Sequence, residues 1–141
     1  MITVITGDKG SGKTKRLLDM ANEAISTESG YVVFIDDDKR YMYDLKHEVR
    51  FVDASEYTAI KNCTSDAFFG FVSGMLSVNF DITLICIDAF LKLVSKTPVE
   101  EMESLFEHLE ALSEHSNVSF IITLNKPTEE LPHFVKKYVT E

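Results

Sequence analysis

Short apolar runs alternate with longer segments of helical periodicity along most of this chain. A short, continuously apolar run is typical of a strand buried on both faces, as in parallel sheets. The runs that predict strands are Ile2–Thr6, Tyr31–Ile35, Ile82–Ile87 and Val118–Leu124, with Val49–Val52 as a shorter candidate. The alternation predicts an α/β fold, a three-layer α/β/α sandwich around a mostly parallel sheet of about four to five strands.

Apolar residues recur at helical spacing between these runs. The first helix is predicted from inward positions at Leu17, Leu18, Ala21, Ala24 and Ile25. Gly30 suits the C-terminal cap of that helix, because glycine readily adopts the left-handed conformation that ends many helices. A second amphipathic pattern predicts a helix from Val99 to Ser116 that stops at Asn117. A short terminal helix is expected to begin near Thr128.

The middle of the chain predicts further helices before the third long apolar run. Ser55, and either Thr64 or Ser65, are candidate N-caps for them. The apolar residues expected to face the sheet here are Phe68, Phe69, Phe71, Met75, Leu76 and Phe80. Hydrophobic residues around much of the helix circumference also leave room for a self-association surface.

Composition and charge narrow the possible functions. With 141 residues, the chain is expected to form one domain over residues 1–141. A formal net charge of −9 repels a phosphate backbone, so nucleic acid is not expected as a partner. Because no apolar run is long enough to span a bilayer and no signal peptide precedes the first strand, we expect a cytoplasmic protein without membrane contact. The two cysteines, Cys63 and Cys86, suggest neither a disulfide nor a metal site.

The candidate chemistry begins directly after the first strand, where residues 7–14 match the pattern G-x-x-x-x-G-K-[ST]. Glycines in such a loop let backbone N–H groups surround a phosphate, and the following helix N-terminus favours an anion. Lys13 is expected to reach the β- and γ-phosphate oxygens, and the Thr14 hydroxyl to ligate Mg²⁺. The predicted phosphate-binding residues are Gly7, Asp8, Lys9, Gly10, Ser11, Gly12, Lys13, Thr14 and Lys15.

A second motif follows in the third long run, where four apolar residues precede Asp88. This pattern resembles a Walker B strand, in which the terminal aspartate holds Mg²⁺ through its water shell. Asp88 therefore joins Thr14 as a predicted metal residue, and Lys13 and Asp88 are both predicted to act in catalysis. We expect the phosphate loop and the Walker B region to be adjacent at the carboxyl edge of the sheet.

On these motifs the chain resembles the P-loop NTPase superfamily, and more particularly its RecA-like and AAA-like branch. It is also similar to short stand-alone ATP-binding proteins common in Gram-positive bacteria. The resemblance rests on few residues, namely Gly7, Gly12, Lys13, Thr14 and Asp88. It implies a P-loop domain that binds ATP and Mg²⁺.

The residue that would activate water is not obvious. In this branch a glutamate commonly follows the Walker B aspartate, but Ala89 occupies that place. Some RecA-like members supply the acid from a neighbouring strand, and Asp36, Asp37 and Asp38 end the strand expected beside Walker B. These three acids either orient the water or form a solvated turn. Thr123 and Asn125, at the end of the last strand, resemble a sensor position for the γ-phosphate or are an ordinary strand-to-loop transition.

Several functions remain open from the sequence. The favoured one is an Mg-ATP-binding protein with weak or partner-stimulated hydrolysis; the alternative is a non-hydrolysing, nucleotide-gated module that pairs with itself or another protein. A kinase is less favoured because only three arginines are available to clamp two anions. GTP ranks below ATP because Thr128 stands where a guanine-reading motif needs aspartate. Arg40 either completes a neighbouring subunit's site or is a surface charge.

Overall fold

The computed structural model describes residues 1–140 and has a five-stranded sheet at its centre. The strands are β1 (Ile2–Thr6), β2 (Tyr31–Asp36), β3 (Arg50–Asp53), β4 (Ile82–Ile87) and β5 (Ser119–Leu124). Their order across the sheet is β1-β5-β4-β2-β3, and all four pairs of neighbours are parallel. The five predicted strands, including the short one near residue 50, are confirmed.

Helices connect the strands and cover the sheet. They are α1 (Lys13–Thr27), α2 (Ser65–Val78), α3 (Phe90–Leu93), α4 (Glu103–Ser116) and α5 (His133–Lys136). Short 3-10 helices occupy Met42–Asp44, Ala54–Glu56, Val99–Glu101 and Thr128–Glu130. Helices and strands thus alternate along the chain, as the hydrophobic pattern predicts.

The two faces of the sheet bury different residues. Along β2, Val32 and Phe34 pack with α1 in one apolar cluster, whereas Val33 and Ile35 belong to a second cluster. That second, larger cluster contains residues of α2, α3, α4 and α5. Since side chains alternate between the faces of a strand, this division means that helices cover both sides. The predicted three-layer α/β/α sandwich is confirmed.

The predicted phosphate loop and Asp88, predicted to end a Walker B strand, meet although the strands that precede them, β1 and β4, are not neighbours. β5 lies between β1 and β4 and pairs with both. All three strands run parallel, so their carboxyl ends reach the same edge of the sheet. At that edge the Thr14 hydroxyl lies 3.0 Å from the Asp88 carboxylate. The expected adjacency therefore arises across an intervening strand.

Gly30 does not cap α1, contrary to the expectation. The helix ends at Thr27, and the cap residue Glu28 is extended. Gly30 instead lies against the backbone before β4, where a Cβ atom would come 2.1 Å from the carbonyl oxygen of Asp81. The glycine is needed for a close approach of two backbones rather than for a left-handed turn.

The helix predicted from Val99 to Ser116 is divided. A 3-10 turn over Val99–Glu101 precedes α4, and the buried Met102 joins them in a non-helical conformation. The end of α4 is as predicted, because Asn117 adopts the left-handed conformation with φ of 53°. The predicted helix near Thr128 is only a 3-10 turn, since Leu131 is extended before Pro132 and α5 starts afresh beyond it.

In the middle of the chain, one predicted cap is confirmed and another is wrong. The Thr64 side chain accepts a hydrogen bond from the Ala67 N–H and caps α2. Ser55 lies inside a 3-10 turn that is capped by Asp53. Phe80, predicted to face the sheet, lies beyond the end of α2 and is 86% exposed.

The C-terminal segment lies beside β1. The Val4 N–H donates to the Tyr138 carbonyl at 2.8 Å, and the Thr140 N–H donates to the Val4 carbonyl at 3.0 Å. This edge of the sheet is therefore paired. Among residues 1–140, no helix has the length and apolar character needed to cross a bilayer.

Candidate functional site

The loop between β1 and α1 has the backbone of an anion cradle. Gly7, Gly10 and Gly12 have φ values of 146°, 86° and 89°, which side chains other than glycine rarely adopt. Within the described chain, no side chain caps the N-terminus of α1 and no acidic residue lies in its first turn. The N–H groups at the start of α1 are thus not capped by a side chain, which favours a bound anion.

Lys13 lies back over this loop. Its Nζ atom donates to the Asp8 carbonyl at 2.8 Å and to the Ser11 hydroxyl at 3.4 Å. Burial lowers the pKa of Lys13, while the negative charges of Asp88 and Asp8 oppose that shift. The ammonium group is therefore held inside the loop by neutral oxygens that an anion can replace.

Thr14, Asp88 and Thr123 form a chain of side chains from three elements. The Thr14 hydroxyl lies 3.0 Å from one Asp88 carboxylate oxygen, and the Thr123 hydroxyl donates to the other at 2.6 Å. The Thr123 oxygen also accepts the Ala89 N–H at 3.0 Å. Hydroxyl and carboxylate oxygens are the ligands that Mg²⁺ prefers, so Thr14 and Asp88 fit the predicted metal role chemically.

The three consecutive acids differ in environment. Asp36 is 1% exposed, and its Oδ1 accepts the Asp37 N–H at 2.8 Å while its Oδ2 has no partner. Burial, followed by hydrogen bonding to Asp37 and the negative charge of Asp88, raises the pKa of Asp36. Asp36 is therefore protonated near neutral pH and is poorly suited to act as a general base.

Asp37 instead carries the negative charge of this group. Its Oδ2 lies 2.7 Å from Lys92 Nζ. Although burial alone would raise the pKa of Asp37, the neighbouring Asp36 carboxyl and the hydrogen bond and positive charge of Lys92 outweigh it and lower the pKa. Asp38 forms a separate ion pair with Arg40, 3.0 Å apart. Of these three acids, all within the described chain, Asp37 alone lines the cleft described next.

A cleft of about 1010 Å³ joins these groups at the carboxyl edge of the sheet. It extends from the phosphate loop to the segment that follows β2. The lining residues are Lys9, Gly10, Gly12, Lys13, Thr14, Lys15, Leu18, Asp19, Asp37, Arg40, Tyr41, Asp44, Asp88, Ala89, Lys92 and Asn125. Most of the predicted binding and catalytic residues therefore share one cavity, whereas Gly7, Asp8, Ser11 and Asp36 lie outside its lining.

Comparison with solved structures supports the fold. The chain is similar to the flagellar accessory protein FlaH from Methanocaldococcus jannaschii. The TM-score is 0.58 at 15% sequence identity, and the match covers 96% of this chain and 65% of the FlaH chain. No family model and no curated protein matches the sequence. The similarity therefore establishes a shared α/β architecture and leaves the function to be argued from the site.

Two residues of the site were not identified from the sequence. Lys92 reaches Asp37 from α3, a helix of a single turn, which is too short to show hydrophobic periodicity. The one sequence signal that Lys92 belongs to the site was its position four residues after Asp88. Asn22 donates to the Asp44 carbonyl at 2.9 Å and accepts the Lys46 N–H at 2.7 Å. Through these two hydrogen bonds the Asn22 side-chain amide holds the segment after β2 against α1, beside the cleft.

Proposed function

We propose that this protein binds Mg-ATP and hydrolyses it slowly, or faster with a protein partner or a second copy of itself. The observation that carries the proposal is the contact between Thr14 and Asp88, beside the loop that holds Lys13. This contact joins a helix N-terminus suited to phosphate with an oxygen pair suited to Mg²⁺.

Each group has a distinct role in this proposal. The loop N–H groups and Lys13 bind the phosphates and neutralise charge that develops during phosphoryl transfer. Thr14 and Asp88 hold the metal, which offsets the charge of the triphosphate. Thr123 keeps the Asp88 carboxylate oriented through its hydrogen bond. Asn125, which lines the same cleft, is proposed to contact the γ-phosphate or the attacking water.

Asp37 is the best candidate to orient water. It lines the cleft and is ionised, whereas Asp36 is buried and Asp38, which pairs with Arg40, does not line the cleft. Its carboxylate is engaged by Lys92, and Ala89 supplies no second acid. A general base that is already paired with a cation accepts a proton poorly, which accounts for the proposed slow unaided turnover.

The test is calorimetric titration with Mg-ATP and with Mg-GTP, with phosphate release followed on the same samples. Wild type and Lys13→Ala are compared, and Lys96→Ala removes an exposed lysine outside the cleft as a matched control. We expect ATP binding that is lost in Lys13→Ala and kept in Lys96→Ala, with slow phosphate release. Absence of binding by the wild type would overturn the proposal. Tighter binding of GTP than of ATP would show that the preferred nucleotide carries guanine rather than adenine.

A nucleotide-gated module without hydrolysis is the second candidate. It is favoured by the engagement of Asp37 with Lys92 and by alanine at position 89. Binding without phosphate release, together with a change of solution mass on adding Mg-ATP, would support this function. A monomer in both states would exclude nucleotide-driven self-association and, with it, a contribution of Arg40 to a neighbouring site.

A further inference from the structure

Lys92 is an unexpected cation in the cleft. It belongs to α3, the helical turn that begins two residues after Asp88, and its ammonium pairs with Asp37 at 2.7 Å. The Lys92 side chain is 64% exposed, whereas the Asp37 side chain is 16% exposed. The lysine is therefore the exposed member of this pair, on a flexible four-carbon stem, and the acid is the more buried one.

Two other cations of the cleft, Lys15 and Arg40, are paired with acids elsewhere. Lys15 pairs with Asp19 along the exposed side of α1, and Arg40 pairs with Asp38 while lying over the ring of Tyr41. Both belong to the side of the cleft formed by α1 and the segment after β2. Lys92 alone among these pairs follows from β4, the strand that ends at Asp88. Thr14 and Asp88 are the residues that would hold the metal of a bound nucleoside triphosphate, and Lys92, four residues after Asp88, would enter the cleft beside the phosphates that this metal accompanies.

The Lys92 ammonium can leave Asp37 without being desolvated. Its side chain is 64% exposed, so water replaces the carboxylate as its partner. The vacated Asp37 carboxylate keeps contact with water, because its side chain is 16% exposed and lines the cleft. A terminal phosphate carries more negative charge than one carboxylate and therefore competes well for the lysine.

From this geometry we infer that Lys92 exchanges Asp37 for the terminal phosphate of a bound nucleoside triphosphate, and so acts within its own chain as the cation that distinguishes tri- from diphosphate. The inference rests on the proposed function. It assigns Asp37 the role of holding Lys92 ready in the nucleotide-free protein, and the exchange frees the Asp37 carboxylate to orient water.

The experiment measures affinity rather than turnover. Calorimetry compares an Mg-bound ATP analogue with a non-hydrolysable β–γ bridge against Mg-ADP, on the wild type, Lys92→Met, Lys92→Arg and Asp37→Asn. We expect Lys92→Met to weaken binding of the analogue by about tenfold or more while ADP binding changes less than about twofold, as for loss of one charge-assisted hydrogen bond. Lys92→Arg should keep most of the discrimination. Asp37→Asn should tighten binding of the analogue, because the competing carboxylate is gone.

Lys96→Met is the matched control, since it removes the same charge from an exposed residue outside the cleft. It should change neither affinity. Equal weakening of both nucleotides in Lys92→Met, or no weakening, would overturn the inference while leaving Lys13-dependent ATP binding intact. If the wild type binds neither nucleotide, or binds both without need of Lys13, the proposed function fails and the inference fails with it. Thermal unfolding of each variant verifies that it is folded.

Discussion

Thr123 on β5 donates its hydroxyl proton to Asp88 at the end of β4, with 2.6 Å between the oxygens. The same hydroxyl oxygen accepts the N–H of Ala89, which has the left-handed φ of 52°. One side chain therefore fixes both the carboxylate and the backbone immediately after it. The orientation of Asp88 depends on the neighbouring strand as well as on the phosphate loop.

Replacing Thr123 by valine should lower the free energy of unfolding by about 1–3 kcal/mol, because the buried Asp88 carboxylate and Ala89 N–H each lose a partner. Thr123→Ser keeps the hydroxyl and should lose less. Urea denaturation of both variants measures the difference. Equal stability of Thr123→Val and the wild type would show that water replaces the hydroxyl.

Asp36→Asn should stabilise the protein increasingly as the pH rises. Burial first, then hydrogen bonding to Asp37, raises the pKa of Asp36 to about 9, against an ordinary value of 3.8. Between these values the unfolded chain releases a proton that the folded chain retains, so this group destabilises the wild type progressively toward high pH. Asparagine carries no such proton, and its amide can donate to Asp37.

Urea denaturation at about pH 5 and about pH 8 measures this effect. The free energy of unfolding of Asp36→Asn relative to the wild type should grow by at least about 1 kcal/mol between the two pH values. A constant difference would contradict a protonated Asp36.

Gly30→Ala should lower the free energy of unfolding by about 1–3 kcal/mol, because the added methyl group would collide with the Asp81 carbonyl, which is backbone and cannot rotate away. Gly70→Ala is the matched control. It lies in α2, where an added Cβ meets nothing within 4 Å, and it should raise stability by about 0.5–1 kcal/mol. Destabilisation of similar size in both variants would contradict the close approach at Gly30.

Asn22→Ala should loosen the segment after β2 without unfolding the protein. Two hydrogen bonds of the Asn22 amide hold this segment to α1. Hydrogen exchange at the Lys46 amide should accelerate about three- to tenfold, as expected for the loss of one such bond. In the control variant Ser26→Ala, the hydroxyl that is lost donates to the Glu23 carbonyl of its own helix, so the Lys46 amide should exchange as in the wild type. Unchanged exchange at Lys46 in Asn22→Ala would mean that other contacts hold the segment.

The strands and the edge where the site lies could be predicted because they depend on local pattern. A buried parallel strand is apolar throughout, and the carboxyl ends of parallel strands converge, so Thr14 and Asp88 could be placed together in advance. The insertion of β5 between β1 and β4 could not be predicted, because an apolar run indicates burial without indicating its neighbours.

Three features were not predicted, because they depend on residues distant in the sequence or on where a helix ends. Lys92 pairs with Asp37, which is far from it in the sequence, and it belongs to a helix too short to show periodicity. Glycine is a common helix cap, which led to the prediction for Gly30. The structure instead requires glycine there because a Cβ atom would collide with the Asp81 carbonyl, which is distant in the sequence. Phe80 has the spacing of the buried positions but lies beyond the end of its helix.

The pairing of β1 with β5 along its whole length affects how the protein folds. Ile2 and Phe120 are register partners, so the first strand meets its neighbour in the sheet only after most of the chain has been synthesised. Such non-local pairing carries a loop-closure cost and slows folding. On the ribosome, α1 and the strands from β2 to β4 can assemble early, whereas the phosphate loop acquires its frame last. If ATP binds at this loop as proposed, its binding would report that β1 and β5 have paired and the sheet is complete.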